Sequence, residues 1–279
     1  ILEFSIALES CQAKSGRGLL PITLVRQGKT EEVVLDVGQE YGAYAQSFPF
    51  DCPKTERIRH QLYQYLVDHQ GEDGSWGIPP QDTFAPLALL ASGEKPYLEA
   101  VKKNVQMHAR TTSAEDDSWL INWRYMAAAI VMSEYHLATG EKWVLKELEE
   151  VYALLISSQY IDMNQINEKV KETHPHAYPK DEMDSHGGWG HNPGFEGYGP
   201  ISMLTAQGAL AFALMHRCGI DVDPARHQAA YNFLQRSAGA NGYIWYKDQP
   251  SGENDWADMG RTGTSAIAHQ LSPYQDDVY

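Results

Sequence analysis

The chain of 279 residues has a hydrophobic content of 43% and a formal net charge of −15, which together describe a globular protein of one or two domains with a sizeable core. An acidic chain without clustered Lys and Arg does not suit nucleic acid, because phosphate binding needs such clusters. No apolar run of 18 residues is free of strongly polar residues, so we expect neither a membrane span nor a nucleic-acid partner.

The cysteines and the first residues of the sequence each support one expectation. Three scattered cysteines, Cys11, Cys52 and Cys218, predict buried free thiols rather than a disulfide framework. The first residues lack both an initiating Met and the pattern of a signal peptide. We therefore expect a processed or truncated piece of a longer protein, and we favour an exported one.

Residues 1–38 predict a small α+β segment. Residues 2–14 have the spacing of a short helix, and two β-branched runs flank Gln27-Gly28-Lys29, which predicts a hairpin. The order helix, strand, turn, strand resembles the C-terminal half of a PDZ domain. Residues 39–55 are rich in Gly, Pro and aromatic residues, which indicates a linker.

From residue 56 to residue 279, two kinds of predicted helix alternate. One kind is amphipathic and charged, as in an outer layer, and the other is apolar and rich in small residues, as in a buried inner layer. The outer helices are residues 56–69, 97–108, 142–158 and 223–236, and the inner ones are residues 83–91, 118–138 and 200–218. Outer helices recur at about 40 to 45 residues once an insertion at 160–199 is allowed for. The pattern predicts a mainly α fold, an incomplete α/α toroid of helical-pair repeats.

A Gln–Gly–Trp loop follows the first outer helix. Gln70, Gly74 and Trp76 are spaced so that the Gln amide can bind carbonyls of its own helix end while Gly74 makes the turn. Weaker copies follow later outer helices, at Gln159 with Gly187-Gly188-Trp189 and at Gly242-Tyr243-Ile244-Trp245. The spacing resembles the QW motif of the squalene-hopene cyclase and protein prenyltransferase superfamily, and implies a bacterial α/α toroid of that kind.

The activities of that superfamily depend on motifs from which this chain departs. Class II terpene cyclases use the central acid of an Asp-x-Asp-Asp motif, and the nearest stretch here, Glu115-Asp116-Asp117, lacks the first Asp. The zinc site of the prenyltransferases needs an Asp-x-Cys spacing that does not occur here. A terpene cyclase-like protein is therefore our third hypothesis, after a carbohydrate-active or carbohydrate-binding protein and a protein-interaction scaffold.

The insertion contains side chains that suit a metal ion. His174, His176 and His186 lie in one short stretch with several carboxylates, and imidazole is a common ligand of zinc and related ions. We therefore predict that these three histidines bind a divalent metal such as zinc.

A second prediction for the same region is an acid–base set. His191, Asn192 and Tyr198, with Arg261 near the last inner helix, supply the base, proton donor and charge-neutralising groups that polysaccharide lyases and hydrolases need. Three further residues are predicted to contact the ligand, namely Trp189, Glu196 and Asp258.

These features support a toroid protein that binds or acts on a carbohydrate, as a lyase, a hydrolase or a binding protein. The ligand is then a small molecule or a polysaccharide. The alternative is a non-catalytic scaffold with a protein partner, because helical repeats often serve protein interaction. Fold alone does not decide between them.

Overall fold

The computed structural model describes residues 1–117, 119–197, 199–239, 242–248 and 259–273, with the backbone alone at 259–261. The chain divides into two compact units, residues 1–69 and 70–279. Among the described residues, none of the helices combines the length and apolarity that crossing a membrane requires.

The first unit contains two helices and a two-stranded antiparallel sheet. Its elements are α1 (Leu2–Gln12), β1 (Leu19–Arg26), β2 (Lys29–Asp36) and α2 (Pro53–Asp68). The strands pair up to Arg26 opposite Lys29. Gln27 and Gly28 turn between them with positive φ, because such a turn matches the twist of the two strands. The predicted first helix and hairpin are confirmed.

The second unit is helical. Its elements are α3 (Pro79–Ala91), α4 (Lys95–Thr111), α5 (Ile121–Thr139), α6 (Val144–Ser158), a 3₁₀ turn (Met163–Gln165), α7 (Val170–Thr173), α8 (Ser202–Arg217), α9 (Pro224–Arg236) and α10 (Met259–Leu271). A proline in the first turn starts α3, α4 and α9, where its missing N–H costs no helical hydrogen bond. Gly140, with φ 73°, ends α5.

The helices of the second unit form two layers. The apolar helices α3, α5, α8 and α10 pack side by side in that order, and α4, α6 and α9 pack against them from outside. In α5, residues 126–132 are at most 2% exposed, as expected of an inner helix covered by neighbours. The mainly α fold of an incomplete toroid is confirmed. The predicted domain boundary near residue 55 stays a prediction, since α2 clusters with the first unit.

The first Gln–Gly–Trp loop contacts α4 of the outer layer and α3 of the inner layer. Gln70 Nε2 donates to the carbonyls of Gly74, at 2.9 Å, and of Ala100 in α4, at 2.7 Å. The amide thus serves the following outer helix and not, as the sequence predicted, the end of its own helix. The Trp76 N–H donates to the Asp82 carboxylate on α3, at 2.6 Å, which attaches the same loop to the inner layer.

The second loop, after α6, repeats these contacts. Gln159 Nε2 donates to the carbonyls of Gly187, at 2.8 Å, and of Arg226 in α9, at 3.0 Å. The Trp189 N–H donates to the Thr205 hydroxyl on α8, at 3.2 Å. Asp82 and Thr205 are each the fourth residue of their inner helix, so the two loops are structurally equivalent.

The third loop, after α9, keeps only part of the pattern. The Ile244 N–H donates to the hydroxyl of Thr262 at 3.1 Å, and Thr262 is again the fourth residue of an inner helix, α10. Ile244 therefore occupies the position that Trp76 and Trp189 have in the first two loops. In all three loops, the residue two positions after the glycine donates its N–H to the inner helix.

Trp189 is part of the hydrophobic core. Its ring is fully buried, and its indole N–H donates to the Leu155 carbonyl at 3.0 Å. A Cβ on Gly208 of α8 would lie 2.6 Å from the ring, so a glycine there makes room for the indole. No face of this ring is open to a ligand, which contradicts the predicted ligand contact.

Candidate functional site

The first repeat, formed by the first Gln–Gly–Trp loop with α3 and α4, contains a buried polar cluster around Asp82. This carboxylate is 5% exposed and accepts hydrogen bonds from Ser75 Oγ at 2.7 Å, from the Trp76 N–H at 2.6 Å and from Asn104 Nδ2 at 3.1 Å. Three donors offset the cost of burying the charge. His108 of α4 lies beside the cluster and is also buried.

The second repeat, formed by the loop after α6 with α8 and α9, has no such cluster. The loop contacts make α4 equivalent to α9 and α3 equivalent to α8. In place of Asp82, Asn104 and His108, the second repeat has Thr205, Ala230 and Leu234. Ala230 and Leu234 are fully buried, so an apolar core is sufficient for the scaffold at this position. The polar side chains of the first repeat therefore mark a candidate functional site.

A proline in α3 determines the tautomer of His108. Pro86 has no N–H, so the Asp82 carbonyl four residues earlier lacks its helical donor. His108 Nε2 lies 3.4 Å from that carbonyl oxygen, which makes Nε2 the donor and Nδ1 the acceptor of the neutral ring. Burial lowers the pKa of His108 to about 4, with the Asp82 carboxylate opposing the shift and Arg124 adding to it.

We expect His108 to destabilise the protein in weak acid. Its pKa falls from 6.5 in a solvated chain to about 4 in the fold, so the unfolded chain takes up the proton first and stability falls as the pH drops from 7 towards 4. Between pH 7 and pH 5, this one group accounts for about 2 kcal/mol. Urea denaturation of His108→Gln at both pH values should show a smaller loss than the wild type.

The control for this measurement is His176→Gln, because His176 is exposed on the same unit. It should lose as much stability in acid as the wild type. His227, whose pKa burial also lowers to about 4, remains in both variants and supplies a constant background. Equal acid losses in His108→Gln and the wild type would contradict the prediction.

A cleft of about 190 Å³ opens beside the polar cluster. Arg124, in the first turn of α5, lines it together with Asp73, Asp82 and His108. Arg124 Nε lies 3.6 Å from the Asp116 carboxylate, whose side chain is 9% exposed. The acidic stretch before α5 thus contributes an ion pair at the edge of the cleft.

His191 and Asn192 lie against the first turn of α5. The Ile121 N–H donates to Asn192 Oδ1 at 3.1 Å, and the Asn122 N–H donates to the His191 carbonyl at 3.1 Å. Asn192 therefore caps α5 from outside the helix. The Trp123 indole N–H donates to His191 Nδ1 at 2.9 Å, so the neutral ring carries its proton on Nε2. Burial lowers the pKa of His191.

This geometry changes the role predicted for His191. A general base needs a free ring lone pair, and the Nδ1 lone pair already accepts from Trp123. The ring lies nearly parallel to that indole, with centroids 6.1 Å apart and an angle of 13° between the planes. In this conformation His191 is a donor through Nε2, and Asn192 has a capping role.

Aromatic residues border the same end of the inner helices. Trp119, in the loop before α5, is 76% exposed, and Phe84 on inner helix α3 is 65% exposed. Trp123 is half-buried. Large aromatic side chains exposed beside polar groups are typical of ligand-binding surfaces.

The other predicted site residues do not join this arrangement. Glu196 is exposed on the insertion loop. Tyr198 and Asp258 lie outside the described residues, as does the side chain of Arg261 in the first turn of α10. Their predicted roles stay predictions.

The three histidines predicted to bind a metal do not converge. His174 and His176 have ring centroids 6.1 Å apart, while His186 lies near Arg236 and Arg226, which with burial lower its pKa. Across residues 1–117, 119–197, 199–239, 242–248 and 259–273, no group of three His, Cys, Asp or Glu side chains could hold a metal ion. The geometry gives no support to the predicted metal site.

Residues 55–278 match the model of a protein family described as a domain of unknown function, DUF6288. The chain belongs to this family. No curated protein matches the DUF6288 chain.

One solved structure resembles the DUF6288 chain at the level of the fold. It is an inactive variant of an α-1,6-mannanase, GH76A of Salegentibacter sp. HEL1_6, in complex with α-1,6-mannotriose. The likeness covers 78% of this chain and 70% of that chain, with 12% identity and a TM-score of 0.48.

The family match corrects the resemblance drawn from the loops. The match of residues 55–278 is to DUF6288 and not to the terpene cyclase and prenyltransferase superfamily, and neither comparison supports a PDZ domain. The Gln–Gly–Trp spacing misled because it has a local cause. It ties a loop to two helices, as Gln70 and Gln159 show, and any array of helical pairs can use that contact.

Sequence reasoning missed the polar cluster of the DUF6288 chain. Asn104 and His108 lie 22 and 26 residues after Asp82, and the three form no recognised motif. Alignment of the first two repeats on their Gln–Gly–Trp loops was the signal that could have found them. Such an alignment places polar residues of one repeat opposite small or apolar residues of the other.

Proposed function

We propose that this protein binds a carbohydrate at the face formed by Trp119, Trp123 and the cleft beside Arg124. The observation that carries the proposal is the polar cluster of Asp82, Asn104 and His108, which occurs in the first repeat where the second repeat has Thr205, Ala230 and Leu234.

The chemistry of this face suits a sugar. Aromatic rings offer an apolar surface to the C–H faces of a pyranose, and a few fixed polar groups orient its hydroxyls. Trp119 and Trp123 supply the rings. Arg124 and the Nε2–H of His191 supply donors, and Asp116 supplies an acceptor.

Among reactions on carbohydrates, the arrangement favours hydrolysis over elimination. A lyase needs a base, and His191 has its Nδ1 engaged by Trp123. Glycoside hydrolysis needs two carboxyl groups near the scissile bond. Asp116 and its exposed neighbour Asp117 lie on the loop that leads to Trp119, which makes them the candidates for that role.

We expect Trp119→Ala and Trp123→Ala each to weaken oligosaccharide binding about five- to thirtyfold, because each removes a stacking surface worth about 1 to 2 kcal/mol. Isothermal titration with a panel of neutral oligosaccharides, including α-1,6-mannotriose, measures the effect. Trp143→Ala is the matched control, because Trp143 is a partly exposed tryptophan at the start of α6. It should bind as the wild type does.

The outcomes separate the candidates. Loss of binding in the first two variants alone supports the proposal, whereas no binding of any oligosaccharide by the wild type overturns it. Release of new reducing ends from the same panel distinguishes a hydrolase from a binding protein. The non-catalytic scaffold with a protein partner stays a prediction.

A further inference from the structure

The cleft beside the polar cluster, of about 190 Å³, is small for a ligand site. Pockets for drug-sized ligands measure about 300 to 1,000 Å³, so this cleft suits a smaller group, of the size of a single sugar ring. Residues of the first Gln–Gly–Trp loop and of α3, α4 and α5 line it.

Several polar groups of the cleft bind other parts of the protein. The Asp82 carboxylate accepts from three donors, among them Ser75 Oγ at 2.7 Å. Asp73 Oδ1 accepts from the Ser75 N–H at 3.0 Å, and Thr111 Oγ1 donates to the Met107 carbonyl at 2.9 Å. These bonds stabilise the walls of the cleft and leave those groups with less capacity to bind a ligand.

His108 offers an acceptor to the cleft that it lines. Its Nε2 donates to the Asp82 carbonyl at 3.4 Å, so Nδ1 keeps a lone pair. His108 is 3% exposed, and among the residues that the structure describes Nδ1 has no hydrogen-bond donor. A lone pair on so buried a ring is suited to a ligand hydroxyl, which can donate to it.

Arg124 offers a donor to the same cleft. Its Nε is buried and makes no hydrogen bond within the described part of the chain. The Asp116 carboxylate lies 3.6 Å from it, which is too long for a hydrogen bond. The side chain as a whole is 39% exposed, so a ligand can reach the guanidinium. Arg124 also lies near enough to His108 to lower the pKa of that ring, so a donor and an acceptor line one small space.

The charge of the lining does not favour an anion. Two carboxylates, Asp73 and Asp82, line the cleft with one guanidinium, that of Arg124. His108 is neutral, because burial lowers its pKa to about 4. A lining without excess positive charge gives no attraction to a carboxylate or sulfate, whereas a hydroxyl can both accept and donate. The chemistry therefore suits a neutral sugar with free hydroxyls.

We propose that this cleft holds one neutral sugar unit of the ligand, with Arg124 donating to one hydroxyl and His108 Nδ1 accepting from another. The inference rests on the proposed carbohydrate function. It adds the substrate class, a neutral saccharide with unsubstituted hydroxyls on that unit, and it names the two residues that recognise those hydroxyls.

Calorimetric titration tests the class of sugar and the role of Arg124. The probes are the neutral oligosaccharide of the panel that binds most tightly, and trigalacturonate. Trigalacturonate should bind at least about tenfold more weakly, because its carboxylates would lie beside those of Asp73 and Asp82. Arg124→Gln should weaken binding of the neutral probe about tenfold or more, because a hydrogen bond from a charged donor is lost. Arg217→Gln, at an exposed arginine in the last turn of α8, should bind as the wild type does.

The imidazole nitrogen resonances test the role of His108 in the wild-type protein. An imidazole nitrogen with a free lone pair resonates at lower frequency once it accepts a hydrogen bond. Addition of the neutral probe at constant pH should therefore move the Nδ1 signal of His108 to lower frequency, while Nε2 stays protonated. His108→Gln assigns the signals by their loss. The signals of His176, which is exposed, should not move.

The outcomes distinguish this inference from the function on which it rests. An unmoved Nδ1 signal, wild-type affinity in Arg124→Gln, or equal binding of trigalacturonate overturns the neutral-sugar site, and the carbohydrate function still stands if Trp119→Ala weakens binding. No binding of any oligosaccharide overturns both. The nitrogen measurement needs no variant other than the one for assignment, so a loss of stability in Arg124→Gln would not remove the test.

Discussion

Gly187→Ala should destabilise the protein by about 4 kcal/mol or more, an effect that only a few mechanisms reach. Gly187 has φ 90°, a conformation that costs an L-residue about 1 to 2 kcal/mol. A Cβ there would also lie far inside contact distance of the Ala229 carbonyl oxygen in α9. The α9 backbone cannot move away from Gly187, because Gln159 Nε2 donates both to the Gly187 carbonyl and to a carbonyl of α9. Urea denaturation followed by circular dichroism measures the loss.

Gly219→Ala is the matched control for this prediction. Gly219 has nearly the same φ, 88°, but its Cβ would meet nothing within 4 Å. The substitution should therefore lower the free energy of unfolding only by the cost of the positive φ, about 1 to 2 kcal/mol. Similar losses in the two variants would show that the close approach of loop and helix at Gly187 does not hold in solution.

Asp248→Ala should cost about 3 kcal/mol, the lower end of what breaking a buried ion pair costs. The Asp248 side chain is 1% exposed and that of Arg236 is 22% exposed. The change leaves a largely desolvated guanidinium without its carboxylate and removes the acceptor of the Ser185 N–H. Both losses release the insertion from the end of α9. The measurement is again the free energy of unfolding in urea.

The exposed pair of Lys146 and Glu150 provides the comparison. Its atoms are 3.2 Å apart, but both side chains are more than half exposed, so water screens the attraction. Glu150→Ala should leave the unfolding midpoint within experimental error. If Asp248→Ala had as small an effect, the ion pair would not hold the insertion in place.

The layers of the fold could be predicted from the sequence because their signal is local. The apolar run of α5 and the charged face of α4 each lie within a few helical turns, and burial follows from that periodicity. Helix starts at prolines and ends at glycines, such as Pro224 and Gly140, are local as well.

The site could be predicted only in part. The sequence pointed to His191 and Asn192, and the structure places both at the start of α5, where Trp123 and Ile121 determine their roles. From residue type alone, the sequence suggested that His191 and Asn192 belong to a catalytic acid–base set. Their partners 68 and 71 residues away make them a donor and a helix cap, which no local pattern could reveal.

The sequence by itself determined that this chain alternates outer and inner helices and joins them through Gln–Gly–Trp loops. Only the tertiary structure decided which polar groups meet. His108 reaches Asp82 because Pro86 frees a carbonyl on a neighbouring helix, and Ser185 meets Asp248 across 63 residues. Periodicity specifies which face of a helix is buried, whereas the identity of the group opposite depends on how the helices pack.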